Sequence, residues 1–94
     1  MYIVSLTYNR PMEDVDAELA AHIAWLDKYF DDGTFIAAGR KDPRTGGVIL
    51  VRDIDRAQLD DILSEDAFQK VADYEVTKVN MTRGSADFSA LVGR

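Results

Sequence analysis

The chain predicts an α+β fold of the ferredoxin-like βαββαβ plan, in which two helices cover one face of a four-stranded antiparallel sheet. Three observations carry this. Segments with strand-like and helix-like hydrophobic spacing follow one another in that order along 94 residues. The turn chemistry of DPRTGG, residues 42 to 47, joins two apolar runs into a central hairpin. The run VILV, residues 48 to 51, is apolar without alternation, as a strand buried on both faces in the middle of a sheet should be.

The elements follow in order. YIVSLTY, residues 2 to 8, is β-branched and aromatic with rough alternation, which predicts the first strand. Pro11 suits a first helical turn, so a helix begins between Pro11 and Asp16 and ends at Gly33. At about 100° per residue its apolar stripe is Val15, Leu19, Ile23, Leu26 and Phe30, with His22 roughly 60° off centre at the margin and Trp25 and Tyr29 beyond it. Asp31 and Asp32 oppose the dipole at the carboxyl end, with no offset visible in the sequence. TFIAAGRK, 34 to 41, predicts the second strand and VILV the third. A second helix over 55 to 63 points Leu59, Ile62 and Leu63 inward, a short helical turn starts near Ala67, and YEVTKVNM, 74 to 81, alternates as the fourth strand. Residues 83–94 read as a tail whose Phe88, Leu91 and Val92 dock on the body or on a partner. The whole, residues 1–94, is expected to be a single domain.

Composition narrows the classes of function. Seventeen acidic against eleven basic residues give a net charge of −6, a field that repels phosphate backbones, so nucleic acid is not expected as a partner. No apolar stretch is long enough for a membrane span and no signal sequence is recognisable, so a cytoplasmic protein without a membrane partner is expected. The absence of cysteine removes disulfides, thiolate nucleophiles and Cys-bound metals. One histidine and scattered acids give no metal spacing, Gly-rich phosphate loops are missing, and no cofactor is expected. Strand 1 and the doubly apolar strand 3 would leave an apolar patch on the sheet face away from the helices, which a second copy covers most economically. A homodimer with sheets packed face to face is the expectation.

Three features carry chemistry. Asp66, three residues before Gln69, has the pattern of a capping box, and a capping carboxylate still has lone pairs for a further donor such as an imidazole. His22 is the only side chain able to exchange protons near neutrality at its ordinary value, although a lone histidine beside an apolar stripe is also a common packed residue. Arg40, Lys41 and Arg44 concentrate positive charge beside Gly46 and Gly47, either to hold a carboxylate or phenolate or simply to solvate a turn. No G-x-S-x-G elbow exists, so a histidine–aspartate pair would act directly on a substrate or on water.

These stretches together resemble the YciI-like, or YCII-related, proteins, small ferredoxin-like chains related to the dimeric α+β barrels. The resemblance runs from the first strand to about Arg83 and rests on HIAWL, on GTFIAAGRKDPRTGGVIL across the hairpin, and on Asp66, Ala67 and Phe68 before Tyr74 and Glu75. Ala67 stands where the family usually has proline, which loosens the turn without removing the carboxylate. The resemblance implies that His22 and Asp66 meet as an active-site pair in a pocket near a dimer interface. It also brings dehydrochlorinase and isomerase-like relatives acting on small aromatic-derived acids, most members having no assigned activity.

Two readings of function stand. In the first, a cofactor-free lyase, isomerase or hydrolase uses His22 to move a proton and Asp66 to orient it, with Trp25, Tyr29 and Phe68 walling the pocket and Arg40 or Arg44 holding an anionic or aromatic-derived ligand. In the second, the same pocket belongs to a non-catalytic ligand-binding or interaction module. Binding of RNA on the sheet would need a basic surface, which the charge opposes.

Overall fold

The computed structural model describes residues 1–93. Its elements are β1 (Tyr2–Tyr8), α1 (Met12–Asp31), β2 (Phe35–Arg40), β3 (Gly46–Val51), α2 (Arg56–Ser64), a 3₁₀ turn (Ala67–Lys70), β4 (Ala72–Lys78) and a second 3₁₀ segment (Ala86–Leu91). The sheet order is β2-β3-β1-β4 and every neighbouring pair is antiparallel. This is the ferredoxin-like plan, with β3 central as its doubly apolar run required. Tyr2, Val4 and Leu6 are buried and lie opposite Val51, Ile49 and Gly47 on β3. Leu59, Ile62 and Leu63 of α2 are buried as expected.

Two sequence-based expectations shift. β4 occupies 72–78 instead of 74–81, because register with β1 sets its ends: Ala72 faces Tyr8 and Lys78 faces Tyr2. More consequentially, α1 is rotated from the expected stripe. Val15, Trp25 and Tyr29 are buried, whereas Ile23 and Phe30 are 46% and 37% exposed. The larger aromatics win the core face, where Trp25 and Tyr29 pack around Phe35 at centroid distances of 5.1 and 5.4 Å. On a helical wheel the buried set spans about 80°, with His22 between Tyr29 and Val15. The histidine therefore lies within the core-facing stripe and not at its margin.

At the end of α1 the structure gives Asp32 a local role. Asp32 Oδ1 accepts the Thr34 amide at 2.9 Å, turning the chain toward β2, and the two bonds from Thr34 hold its carboxyl below the usual range. Gly33, at φ 83°, supplies the left-handed residue this exit needs. In the second 3₁₀ segment Phe88 is 58% exposed. Among the described residues no helix is long and apolar enough to cross a membrane.

Candidate active site

The site is assembled around the short connection between α2 and β4. Asp66 has extended backbone angles (φ −71°, ψ 128°) and its Oδ1 accepts the Phe68 amide at 3.0 Å, capping the 3₁₀ turn. The capping box forms by half, since Gln69 Nε2 donates to the Leu63 carbonyl at 2.8 Å instead. The remaining lone pairs of Asp66 are used. Oδ1 lies 2.7 Å from His22 Nδ1, and Oδ2 accepts the phenol of Tyr74. The Asp66 side chain is fully buried and that of His22 is 12% exposed.

These partners decide the hydrogen positions. An ionised carboxylate only accepts, so Nδ1 of the imidazole carries the hydrogen and Nε2 is left as the acceptor of the neutral ring. No hydrogen bond to Nε2 is found among the described residues, and His22 lines a cavity of about 200 Å³. The ring plane is fixed from the side by Phe68, stacked at a centroid distance of 3.8 Å and 4° from parallel. Tyr8 in turn meets Phe68 edge to face at 5.8 Å.

The cavity lies between α1, which presents Leu19, His22 and Ile23, and the sheet, which presents Leu6, Tyr8 and Ile49. Its lining includes Gly47, the position opposite Leu6 on β3, where a Cβ would meet the Gly39 carbonyl oxygen at 2.9 Å. Ala38 is nearly as small, and at the end of β2 Arg40 lines the opening without an ion pair among the described residues.

The structure separates the expected site residues. His22, Phe68 and Arg40 line the cavity, and Asp66 stands buried behind His22, bonded to its Nδ1. Trp25 and Tyr29 do not wall it: Trp25 is buried and its Nε1 donates to the Ile62 carbonyl at 2.9 Å, while the Tyr29 phenol donates to Glu65. Rotation of α1 sends both rings toward Phe35, although Trp25 stays 5.7 Å from the imidazole. Lys28 also reaches Glu65 at 2.9 Å, and the two donors hold that carboxyl below the usual range, so this group pins α1 to the end of α2.

Arg44 is likewise outside the lining. Its Nη2 pairs with Asp16 at 3.0 Å, tying the hairpin to α1, and its Nε is buried without a partner among the described residues. Two tyrosines that were not expected as site residues complete the site. Tyr8 shares the helix-facing parity of Leu6, a signal that period alone carries. Tyr74 gains its place from the β1–β4 register, which sets it opposite Leu6. Burial, and then the bond to Asp66, push its phenol far above the ordinary tyrosine range.

With this geometry in hand, comparisons with known proteins become specific. The model of the YCII-related domain matches residues 1–81. No curated protein matches the chain. Among solved structures, the chain is similar to the 5-chloro-2-hydroxyhydroquinone dehydrochlorinase of Burkholderia phenoliruptrix AC1100 in complex with 2,5-dihydroxybenzoquinone. The TM-score is 0.67 at 18% identity, over 84% of this chain and 93% of that one. At that identity the likeness establishes the shared fold, whereas the family match spans the first strand, the hairpin, Asp66 and the fourth strand in one run. The chain therefore belongs to the YCII-related family.

Proposed function

We propose that this protein is a small-molecule enzyme that works without a cofactor, using His22 Nε2 to take a proton from, or return one to, a substrate held in the cavity. One observation carries the reading: Nδ1 is held by a buried carboxylate at 2.7 Å while the opposite nitrogen belongs to a ring lining the cavity. Asp66 orients the ring and stabilises the imidazolium formed after transfer. Arg40 takes the anionic group of the ligand.

A cavity of about 200 Å³ suits one ring bearing small substituents, below the range typical of drug-sized ligands. The similar structure is a dehydrochlorinase holding a dihydroxybenzoquinone. Elimination or isomerisation on a hydroxylated or carboxylated ring fits the same equipment, since each moves a proton beside a polarised carbon–oxygen bond. Hydrolysis, with His22 activating water, is the third reaction of this class.

The proposed assembly is a homodimer joined through the sheet face away from α1, where Ile3 and Leu50 are paired and half-buried. The cytosol is the proposed compartment, in keeping with a cysteine-free chain.

The test is turnover of halogenated hydroquinones, small aromatic acids and lactones by the wild type beside His22→Gln and His22→Ala. Turnover that falls at least about a hundredfold in both variants supports the reading. Equal rates in all three remove it, and binding without turnover assigns the cavity to a ligand-binding module.

A further inference from the structure

Tyr74 has no task in the reading above, yet it makes the only contact to the second oxygen of Asp66 among the described residues. The carboxylate receives three donors from three elements: the imidazole of α1, the Phe68 amide of the 3₁₀ turn and the phenol of β4. Its side chain is fully buried, so water cannot replace any of them. Sheet register fixes the phenol in the row that also forms the cavity floor, since Tyr74 lies opposite Leu6, whose other neighbour is Gly47. A phenol can donate to one oxygen without adding charge, and a carboxylate that shares its charge with a second donor pulls less strongly on the first.

We propose that Tyr74 is a positioning residue of the His22 site: it holds Asp66 with Oδ1 aimed at Nδ1 and draws part of the carboxylate charge away from the imidazole. The proposal rests on the reading of His22 as the proton-transfer group. Other titratable groups around the ring are Tyr8 of β1 and Arg40 of β2 at the cavity, and Glu18 of α1, paired with Lys70 of the 3₁₀ turn at 3.4 Å. β3 contributes glycines and aliphatic residues, and Asp16 is bound by Arg44. None of these bonds the ring or Asp66 among the described residues.

The chain has a single histidine, so carbethoxylation by diethyl pyrocarbonate, followed by the ultraviolet absorbance of the carbethoxyimidazole adduct and not by total acylation, reads this ring, and only its unprotonated nitrogen reacts. In Tyr74→Phe, with folding checked by near-ultraviolet circular dichroism, the pH–rate profile moves to higher pH. The reaction becomes roughly three- to tenfold slower at about pH 6.5. Site-specific replacement of Tyr74 by 3-fluorotyrosine, a stronger donor of the same shape, moves the profile the opposite way and keeps the test valid if the phenylalanine variant fails to fold. A profile unchanged by the fluorinated residue overturns the proposal. Opposite shifts without any turnover sensitive to His22 retain the positioning role and sink the enzymatic reading; turnover lost in His22→Gln with unchanged profiles does the reverse.

Discussion

Phe68 lies flat on His22, ring centroids 3.8 Å apart and planes within 4° of parallel, and both residues are bound to the same carboxylate oxygen. Asp66 reaches Phe68 through its backbone amide and His22 through Nδ1. The residue that starts the turn thus also places the aromatic that fixes the imidazole plane. Cap, stack and dyad form one unit, and the energetic consequences of cutting it can be ordered.

Asp66→Ala removes the cap and leaves His22 Nδ1 and the Tyr74 hydroxyl without their acceptor. We expect a loss of about 2–4 kcal/mol in urea-induced unfolding, combining cap loss with unsatisfied donors. His22→Gln costs less, about 1–2 kcal/mol, because the amide can still donate to Oδ1 while the stack is lost. A stability of Asp66→Ala equal to wild type would show that the carboxylate carries no structural role.

Trp25 and Phe68 separate core from cavity. Trp25→Phe deletes the bond to the Ile62 carbonyl in a buried site and is expected to cost about 1–3 kcal/mol while leaving turnover of any substrate within about twofold. Phe68→Leu keeps an apolar filler but removes the face against the imidazole, so kcat falls more than stability does. Melting curves and steady-state kinetics on the two variants should fall into opposite patterns.

The cavity owes its volume to small side chains on the sheet. Ala38→Leu introduces bulk at an exposed lining position, so stability changes by no more than about 0.5 kcal/mol while ligand affinity drops roughly tenfold or more. Isothermal titration with a ligand of the wild type is the measurement. Unchanged affinity would mean that ligands bind elsewhere.

Alkaline pH should weaken the fold through Tyr74. Its phenol is raised above the ordinary value of 10.0 in the folded chain, mainly by burial. Above about pH 10 the unfolded chain releases a proton that the folded chain retains, so the contribution is fully present below that pH and lost as pH rises beyond it. Tyr74→Phe therefore flattens the decline in stability between about pH 10 and 11. At the acid end Glu65, lowered first by Lys28 and then by Tyr29, acts in the other direction: its contribution holds above the ordinary glutamate range and fades as pH falls through it. Glu65→Gln makes the acid limb shallower, to be read from midpoints of denaturation at a series of pH values.

The open sheet face tests the dimer. Leu50 lies opposite Ile3 on the side away from the buried Val4 and Val51. We expect sedimentation at micromolar concentration to give twice the chain mass, and Leu50→Lys to give a single chain with its secondary structure unchanged. A wild-type mass of one chain refutes the proposed assembly.

The sequence by itself determined the order of elements, the central position of β3 and the capping role of Asp66. Each depends on neighbours a few positions apart: alternation over VSL, a doubly apolar VILV, an acceptor next to free amides. It also marked His22 and Asp66 as the pair worth watching, through family resemblance more than through spacing. What only the tertiary structure decided is which side of α1 turns inward. Two nearly equivalent apolar stripes were available, and the choice fell to Trp25 and Tyr29 because Phe35, on another element, offers them aromatic surface. The rotation that withdrew these rings from the cavity also set His22 in the core-facing stripe, over Phe68 and against Asp66. Tyr74 entered by the same route, since contacts 8 and 44 positions apart depend on strand register and helix rotation, which no local window of sequence contains.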